Sequence, residues 1–264
     1  MQPENAEGSA IGNLHRIQES EISVLMAYLR RVGPRAIKFV GQLKEEGGQI
    51  GHWWTDRWPS PKAVLCRGRG SYSFYAENKQ VATYVLDRID WSVEVWFSAL
   101  EYQFLPLIQE RAKDVQDSPC YLYRLQRKRF CPHQFFETED CRIESLCPGD
   151  ASQVTTHWTY GDTEDYPLAR IHQAPTACIR AGGEPVSWAL THHDGSIGIV
   201  FTLQEHRRKG YAKAAISMLV KKQLLAGRTP YCFIVEGNEA SKKLFEELGF
   251  VEQSRLCWVH CLPK

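Results

Sequence analysis

A chain of 264 residues, 43 % hydrophobic and 11 % aromatic, can bury a substantial core as one large domain or two small ones. Thirty-two Lys and Arg against 31 Asp and Glu leave a formal charge of +1. That balance excludes a global attraction to nucleic acid or an anionic membrane, so any bound anion must be held locally.

The N-terminus, Met1 to Asn13, carries Glu4 and Glu7 and no apolar stretch, unlike a secretory signal or an Arg-rich presequence. No run approaches the roughly 20 apolar residues of a membrane span, and the cytoplasm is the default compartment. From Glu19 to Arg31, the residues Ile22, Leu25, Met26 and Leu29 recur at helical spacing. Trp53, Trp54 and Trp58 crowd into one short stretch. Side chains of this size fill a core or an interface more readily than they bind a ligand. Ala63–Cys66 and Tyr72–Tyr75 read as strands around the turn Arg67–Gly70. Asn78–Arg88 and Leu100–Lys113 read as helices, and Tyr121–Leu125 as another strand.

Gln126 to Asp140 is hydrophilic, contains Pro132 and reads as a linker, which divides the chain into 1–138 and 139–264. Cys131, His133, Cys141 and Cys147 lie in and after this stretch but match no paired zinc-ligand spacing, and no metal is expected. The nine cysteines are an odd number without the spacing of a disulfide scaffold and read as reduced thiols. Cys257 and Cys261 would share one strand face, where packing accounts for them.

The C-terminal half is more regular. Pro185–Thr191, the turn His193-Asp194-Gly195 and Ser196–Leu203 read as a hairpin, with His192 and His193 exposed beside the turn. Ala212, Ala215, Ile216, Leu219, Val220 and Leu224 form a helical stripe within Lys209–Ala226, ended by Gly227. Tyr231–Val235 is a strand after Pro230. Asn238 caps a helix bearing Leu244, Phe245 and Leu248, closed by Gly249, and Phe250–Leu262 returns as a strand. Strand, strand, helix, strand, helix, strand makes an α/β sheet.

Between the hairpin and the long helix lies Glu205-His206-Arg207-Arg208-Lys209-Gly210-Tyr211-Ala212. A helix N-terminus presents unpaired N–H groups and the positive end of the dipole. Gly210 permits close backbone approach, Ala212 is small, and Arg207, Arg208 and Lys209 add charge, so the turn can seat a diphosphate.

The R-R-K-G-Y-A turn and the later Asn238-Glu239-Ala240-Ser241-Lys242-Lys243-Leu244-Phe245, then Leu248-Gly249-Phe250, resemble the two motifs of the GCN5-related N-acetyltransferase (GNAT) superfamily. Gly183-Glu184-Pro185-Val186-Ser187-Trp188 and Thr202-Leu203-Gln204-Glu205-His206-Arg207 are similar to the glycine N-acyltransferase-like family, as are Ile143–Leu146 and His157–Gly161. Asp56-Arg57-Trp58-Pro59 echoes that family more faintly. The resemblance implies a GNAT-type mixed sheet flanked by helices, preceded by a degenerate GNAT-like N-terminal half. It implies transfer of an acyl group from acyl-CoA, a co-substrate rather than a bound cofactor, to glycine or another amino acid. The family also admits a mitochondrial location.

By the same resemblance the diphosphate lies on Arg207, Arg208, Lys209, Gly210, Tyr211 and Ala212, pantetheine pairs with Val200, Phe201 and Thr202, and Asn238 contacts the cofactor arm. Glu205 is the implied general base. Gln204 replaces the family's Pro, and Phe245 replaces a Tyr able to protonate the leaving thiolate, which leaves the general acid unassigned. A carboxylate that takes the amine proton works best partly buried, with its pKa raised, and a backbone N–H near Phe201 would meet the oxyanion. His206 suits proton transfer or a phosphate contact equally. An amino-acid acceptor needs a cation for its carboxylate, such as Arg255. Two rivals keep the same turn: a protein or peptide N-acetyltransferase, and a non-catalytic acyl-CoA-binding module, which the Phe245 substitution favours. Partners beyond acyl-CoA and a small amine, and the oligomeric state, are not encoded legibly.

Overall fold

The computed structural model describes residues 11–45, 52–158 and 163–263. Most of Met1–Asn13 and the Thr159–Gly161 part of the resemblance lie outside them. The chain forms two units, Met1–Tyr121 with Ser254–Lys264, and Leu122–Gln253.

The first unit runs β1 (His15–Arg16), α1 (Ile22–Val32), α2 (Ile37–Glu45), β2 (His52–Thr55), β3 (Ala63–Gly68), β4 (Ser71–Ala76), α3 (Lys79–Leu86), β5 (Val95–Glu101), α4 (Leu105–Gln109) and most of β6 (Asp114–Leu125). Its strands lie in the order β1-β2-β3-β4-β5, followed by the end of β12 (Phe250–Leu262). All these pairs are antiparallel except β4 with β5. Strand alternation divides the side chains between two cores. Trp54, Ala63, Leu65, Phe74 and Ala76 join Val85, Leu86 and Ile108 of α3 and α4 on one face. Trp53, Val64, Cys66 and Tyr75 join Leu25, Leu29 and Phe39 of α1 and α2 on the other. Adjacent tryptophans are thus buried on opposite sides of one strand, and Trp58 packs against the second core. Cys257 and Cys261 share the first core, as their spacing requires.

The turn between β3 and β4 is two residues, Arg69 and Gly70, both at positive φ (48° and 76°), the hairpin geometry that matches strand twist. The predicted helix over Leu100–Lys113 is a correction. Leu100 lies within β5, and only Leu105–Gln109 is α-helical, opened by a Pro in its first turn. Burial of alternate residues Val95, Phe97 and, past a bulge, Leu100 against α3 and α4 overrides helical periodicity there.

The second unit runs β7 (Cys141–Glu144), α5 (Ala151–Thr156), α6 (Asp165–Gln173), β8 (Thr176–Ala181), β9 (Glu184–Thr191), β10 (Ile197–Thr202), α7 (Tyr211–Leu225), β11 (Tyr231–Val235), α8 (Glu239–Glu247) and the start of β12. One antiparallel sheet has the order β10-β9-β8-β7. In a second ladder, β6 lies between β11 and β12. The stretch Gln126–Asp140 is not a detached linker. Cys131 N–H donates to Leu248 O (3.3 Å), His133 N–H to Ser217 Oγ (2.9 Å), and Phe135 packs on Tyr211.

The order β-α-α-β-β-β-α-β-α-β therefore occurs twice, from β1 to β6 and from β7 to β12. Two differences separate the copies. In the first, β4 and β5 share a parallel ladder (Tyr72 opposite Phe97), and only Glu77 and Asn78 join β4 to α3. Asn78 Oδ1 accepts the Val81 N–H, so that helix start is already capped. In the second, β10 and β11 end separate ladders, and residues 203–210 join β10 to α7.

Arg180 of β8 ties β7 and the start of α5 to the sheet, bonding Glu144, Gly183 O and both oxygens of Asp150 (2.8 and 3.2 Å). Burial alone would raise the Asp150 pKa. Arg180 and the Cys147 N–H (2.8 Å) outweigh it and hold the carboxyl below the ordinary aspartate value. Its stabilising contribution is complete above that ordinary value and is lost as pH falls through the depressed one. Arg180→Met should cost about 3 kcal/mol, because it strands a nearly buried carboxylate. An unchanged urea midpoint would refute this.

Candidate active site

β10 is the end strand of its sheet and carries a bulge. Ile197 and Gly198 oppose Thr191 and Leu190, and Phe201 and Thr202 oppose Trp188 and Ser187, so Ile199 and Val200 together face Ala189. Ile199 has φ of 49°, a strained conformation for a β-branched residue. The bulge breaks pairing with β9 and re-aims backbone groups around Val200. Because β10 and β11 diverge into different ladders, the outer edge of β10 offers N–H and C=O groups to an extended ligand.

The strand then delivers the chain to the basic turn. Ser187 Oγ donates to Phe201 O (3.0 Å) and lies 2.7 Å from Thr202 Oγ1, which fixes the strand end from β9. Arg207 Nε donates to Thr202 O (3.2 Å), so this guanidinium braces the turn. Arg208 (φ 61°) and Gly210 (φ 79°) are both left-handed and curl the backbone into a concave turn. Gly210 is the N-cap of α7 and supplies no capping side chain, which leaves the first N–H groups of the helix without an internal acceptor. Gly210 is required for a second reason: a Cβ there would fall 2.5 Å from His133 Nε2.

Val200, Phe201, Thr202 and Arg207 to Ala212 thus form one continuous path along strand edge, turn and helix start. Asn238 lies after β11, and its Oδ1 is engaged by the Ser241 N–H (3.0 Å) as the N-cap of α8. His206 stacks on Tyr211, and its enclosed Nδ1 has no hydrogen-bond partner among the described residues. Phe245 is buried edge-on against Phe250, and Tyr211 lies against the Cys141 thiol. The Cys141 thiol bonded to its oxygen, together with burial, raises the Tyr211 pKa.

Two expectations need correction. Glu205 sits on a single 3-10 turn beyond β10 and is exposed. Among the described residues no ion pair joins it to Arg207 or Arg208. His192 and His193 are not exposed beside their turn but partly buried, because α6 packs over them. Tyr166 Oη of α6 lies 2.8 Å from His192 Nδ1 and 3.1 Å from His193 Nδ1, and it accepts the His193 N–H (3.3 Å). Burial pushes the His192 pKa below the usual histidine value; Asp194 opposes that and Arg170 adds to it. Around this cluster His157 stacks on Phe201 (4.5 Å) and Trp158 on Tyr166 (5.1 Å). Sequence reasoning missed Tyr166, for which only the histidine pair gave a signal. Arg255 belongs to the first unit, where its guanidinium covers the Tyr102 ring at 3.9 Å.

Among the described residues no helix is long and apolar enough to cross a membrane, no cluster of three or more His, Cys, Asp or Glu could hold a metal ion, and none of the nine cysteines forms a disulfide.

The model of the FR47-like protein family matches residues 177–259, from β8 into β12. A human glycine N-acyltransferase-like protein 1 is 28 % identical over 136 residues, 48 % of this chain and 44 % of its own length. A mouse glycine N-acyltransferase-like protein is 23 % identical over 285 residues, covering 90 % of this chain and 95 % of its own. The match thus spans less than half of the human relative. A Drosophila protein of known structure superposes with a TM-score of 0.80 at 17 % identity, over 95 % of this chain and 98 % of that one. A GCN5-related N-acetyltransferase from Sphaerobacter thermophilus gives 0.61 at 14 % identity, over 96 % of each chain. A tandem GNAT protein from the clavulanic acid biosynthesis pathway gives 0.59 at 11 %, over 94 % of this chain and 98 % of that one. The chain has the mixed α/β fold of these GNAT structures, and its sequence is similar to the glycine N-acyltransferase-like proteins.

Proposed function

We propose that the second unit is an N-acyltransferase that moves an acyl group from acyl-CoA to the amine of a small acceptor, glycine or another amino acid in the first instance. The observation that carries this reading is the contrast between the two repeats. The second repeat keeps an open, bulged strand edge that leads into an uncapped, basic helix start. In the first repeat the equivalent strands pair and the equivalent helix is capped. The first unit is accordingly assigned as the degenerate copy. The names of the curated relatives support the acceptor class.

In this reading the diphosphate lies on the Arg207–Ala212 turn, and pantetheine runs along Val200 to Thr202. The thioester carbonyl rests at the bulge, where a strand N–H near Phe201 stabilises its oxyanion. Glu205 takes the first proton from the incoming ammonium, through water because its carboxylate is exposed. The neutral amine attacks the carbonyl carbon directly, with no covalent enzyme intermediate. The buried Phe245 favours a second reading, a module that binds acyl-CoA without turnover. Thiol release from a panel of acyl-CoAs separates the two. Amine-dependent release is expected, and tight acyl-CoA binding with no release for any amine would favour the binding module.

A further inference from the structure

We infer that His192, held in one tautomer by Tyr166 and His193, is the proton shuttle that takes a proton from the attacking nitrogen and delivers it to the leaving sulfur. This inference rests on the acyltransferase reading above and supplies the acid that Phe245 cannot.

The geometry fixes where the free nitrogen points. A Cβ built on Gly198 would lie 2.1 Å from His192 Nε2, so that atom sits directly over the β10 backbone, one residue before the Ile199–Val200 bulge. The other ring nitrogen is occupied by Tyr166 Oη at 2.8 Å. That oxygen already accepts the His193 N–H and has one hydrogen to give. In the proposed network it gives that hydrogen to His193 Nδ1 and accepts from His192 Nδ1–H, which leaves a lone pair on His192 Nε2 facing the strand. Tyr166 and His193 are therefore positioning residues, and only His192 meets the reacting atoms.

The charged neighbours favour a neutral ring. Tyr166 and Arg170 face it from α6, and His193 and Asp194 from the turn, where Asp194 O accepts from Tyr231 of β11. Their balance with burial lowers the His192 pKa, so the ring is a neutral base near pH 7 and, once protonated, a strong acid.

The protons balance. The acceptor ammonium gives one proton to Glu205 and thence to water. Its lone pair forms the N–C bond at the thioester carbonyl, giving a tetrahedral carbon with an oxyanion and a cationic NH2 group. His192 Nε2 takes one proton from that nitrogen. Collapse of the oxyanion breaks the C–S bond, and the imidazolium returns its proton to the thiolate. The products are an amide and CoA thiol.

The test uses the full-length protein, an acyl-CoA and the amine that gives the fastest thiol release. His192→Gln should lower kcat by roughly 10²-fold and remove the acidic limb of the pH–rate profile that lies below the ordinary histidine pKa. CoA affinity by calorimetry should stay within about 2-fold, because His192 lies away from the diphosphate turn. Tyr166→Phe should lose less activity but displace the same limb, which a merely structural role would not do. Imidazole 15N shifts of the unaltered protein should report His192 protonated on Nδ1, a readout that needs no variant to fold. A wild-type limb retained in His192→Gln, or an Nε2-protonated His192, would overturn the shuttle while leaving the acyltransferase reading intact. Absence of amine-dependent thiol release from the wild type would overturn both.

Discussion

Glu205→Gln is expected to lower turnover near neutral pH by roughly 10²-fold, the low end of general-base loss, with the acyl-CoA dissociation constant little changed. The substitution keeps the size of the side chain and removes its basicity. The exposed position of Glu205 sets the modest magnitude, since water around the carboxylate can take over part of the proton transfer. Raising the pH should recover part of the loss, because more of the acceptor amine is then already neutral. The contrary outcome is distinct. A residue that only balanced the charge of Arg207 and Arg208 would change CoA binding and leave saturated turnover near normal. A flat pH–rate profile shared by wild type and variant would remove Glu205 from the chemistry without touching the acyltransferase reading.

The second large effect concerns the diphosphate turn, and the structure determines which substitution is informative. Gly210 is a poor choice, because its positive φ and the nearby His133 ring would strain any side chain placed there. Ala212 is better. It occupies the second position of α7, where an acidic side chain interacts favourably with the helix dipole. Ala212→Asp should therefore leave the melting temperature equal or slightly higher. It also places a carboxylate against the expected diphosphate, a like-charge contact that should weaken CoA binding by roughly 10²-fold or more. Unchanged CoA affinity in a folded Ala212→Asp protein would refute the placement of the diphosphate.

Several features were legible because they depend on local chemistry. The α7 stripe, the Asn238 cap, the β9–β10 hairpin and the basic turn all follow from side chains within a few residues of one another. The burial of Trp53 and Trp54 was also legible, since side chains of that area seldom stay in water. Less visible were β7, α5, α6 and β8. Their side chains are half apolar and their periods short, and their stability comes from packing on β9 and α7. The helix expected at Leu100–Lys113 failed for the same reason, as a sheet neighbour outweighed local spacing.

The sequence by itself carried the resemblance to the superfamily, the turn and the strand that leads to it, because an anion-binding helix start is a contiguous device of backbone and charge. Only the tertiary structure decided that β4 and β5 close in one copy while β10 and β11 part in the other, and that Glu205 stands in solvent. It alone brought Tyr166 of α6 to His192 and laid that ring over Gly198. Such contacts join residues far apart along the chain, and their geometry is fixed by which faces pack together, a property that no local pattern of side chains records.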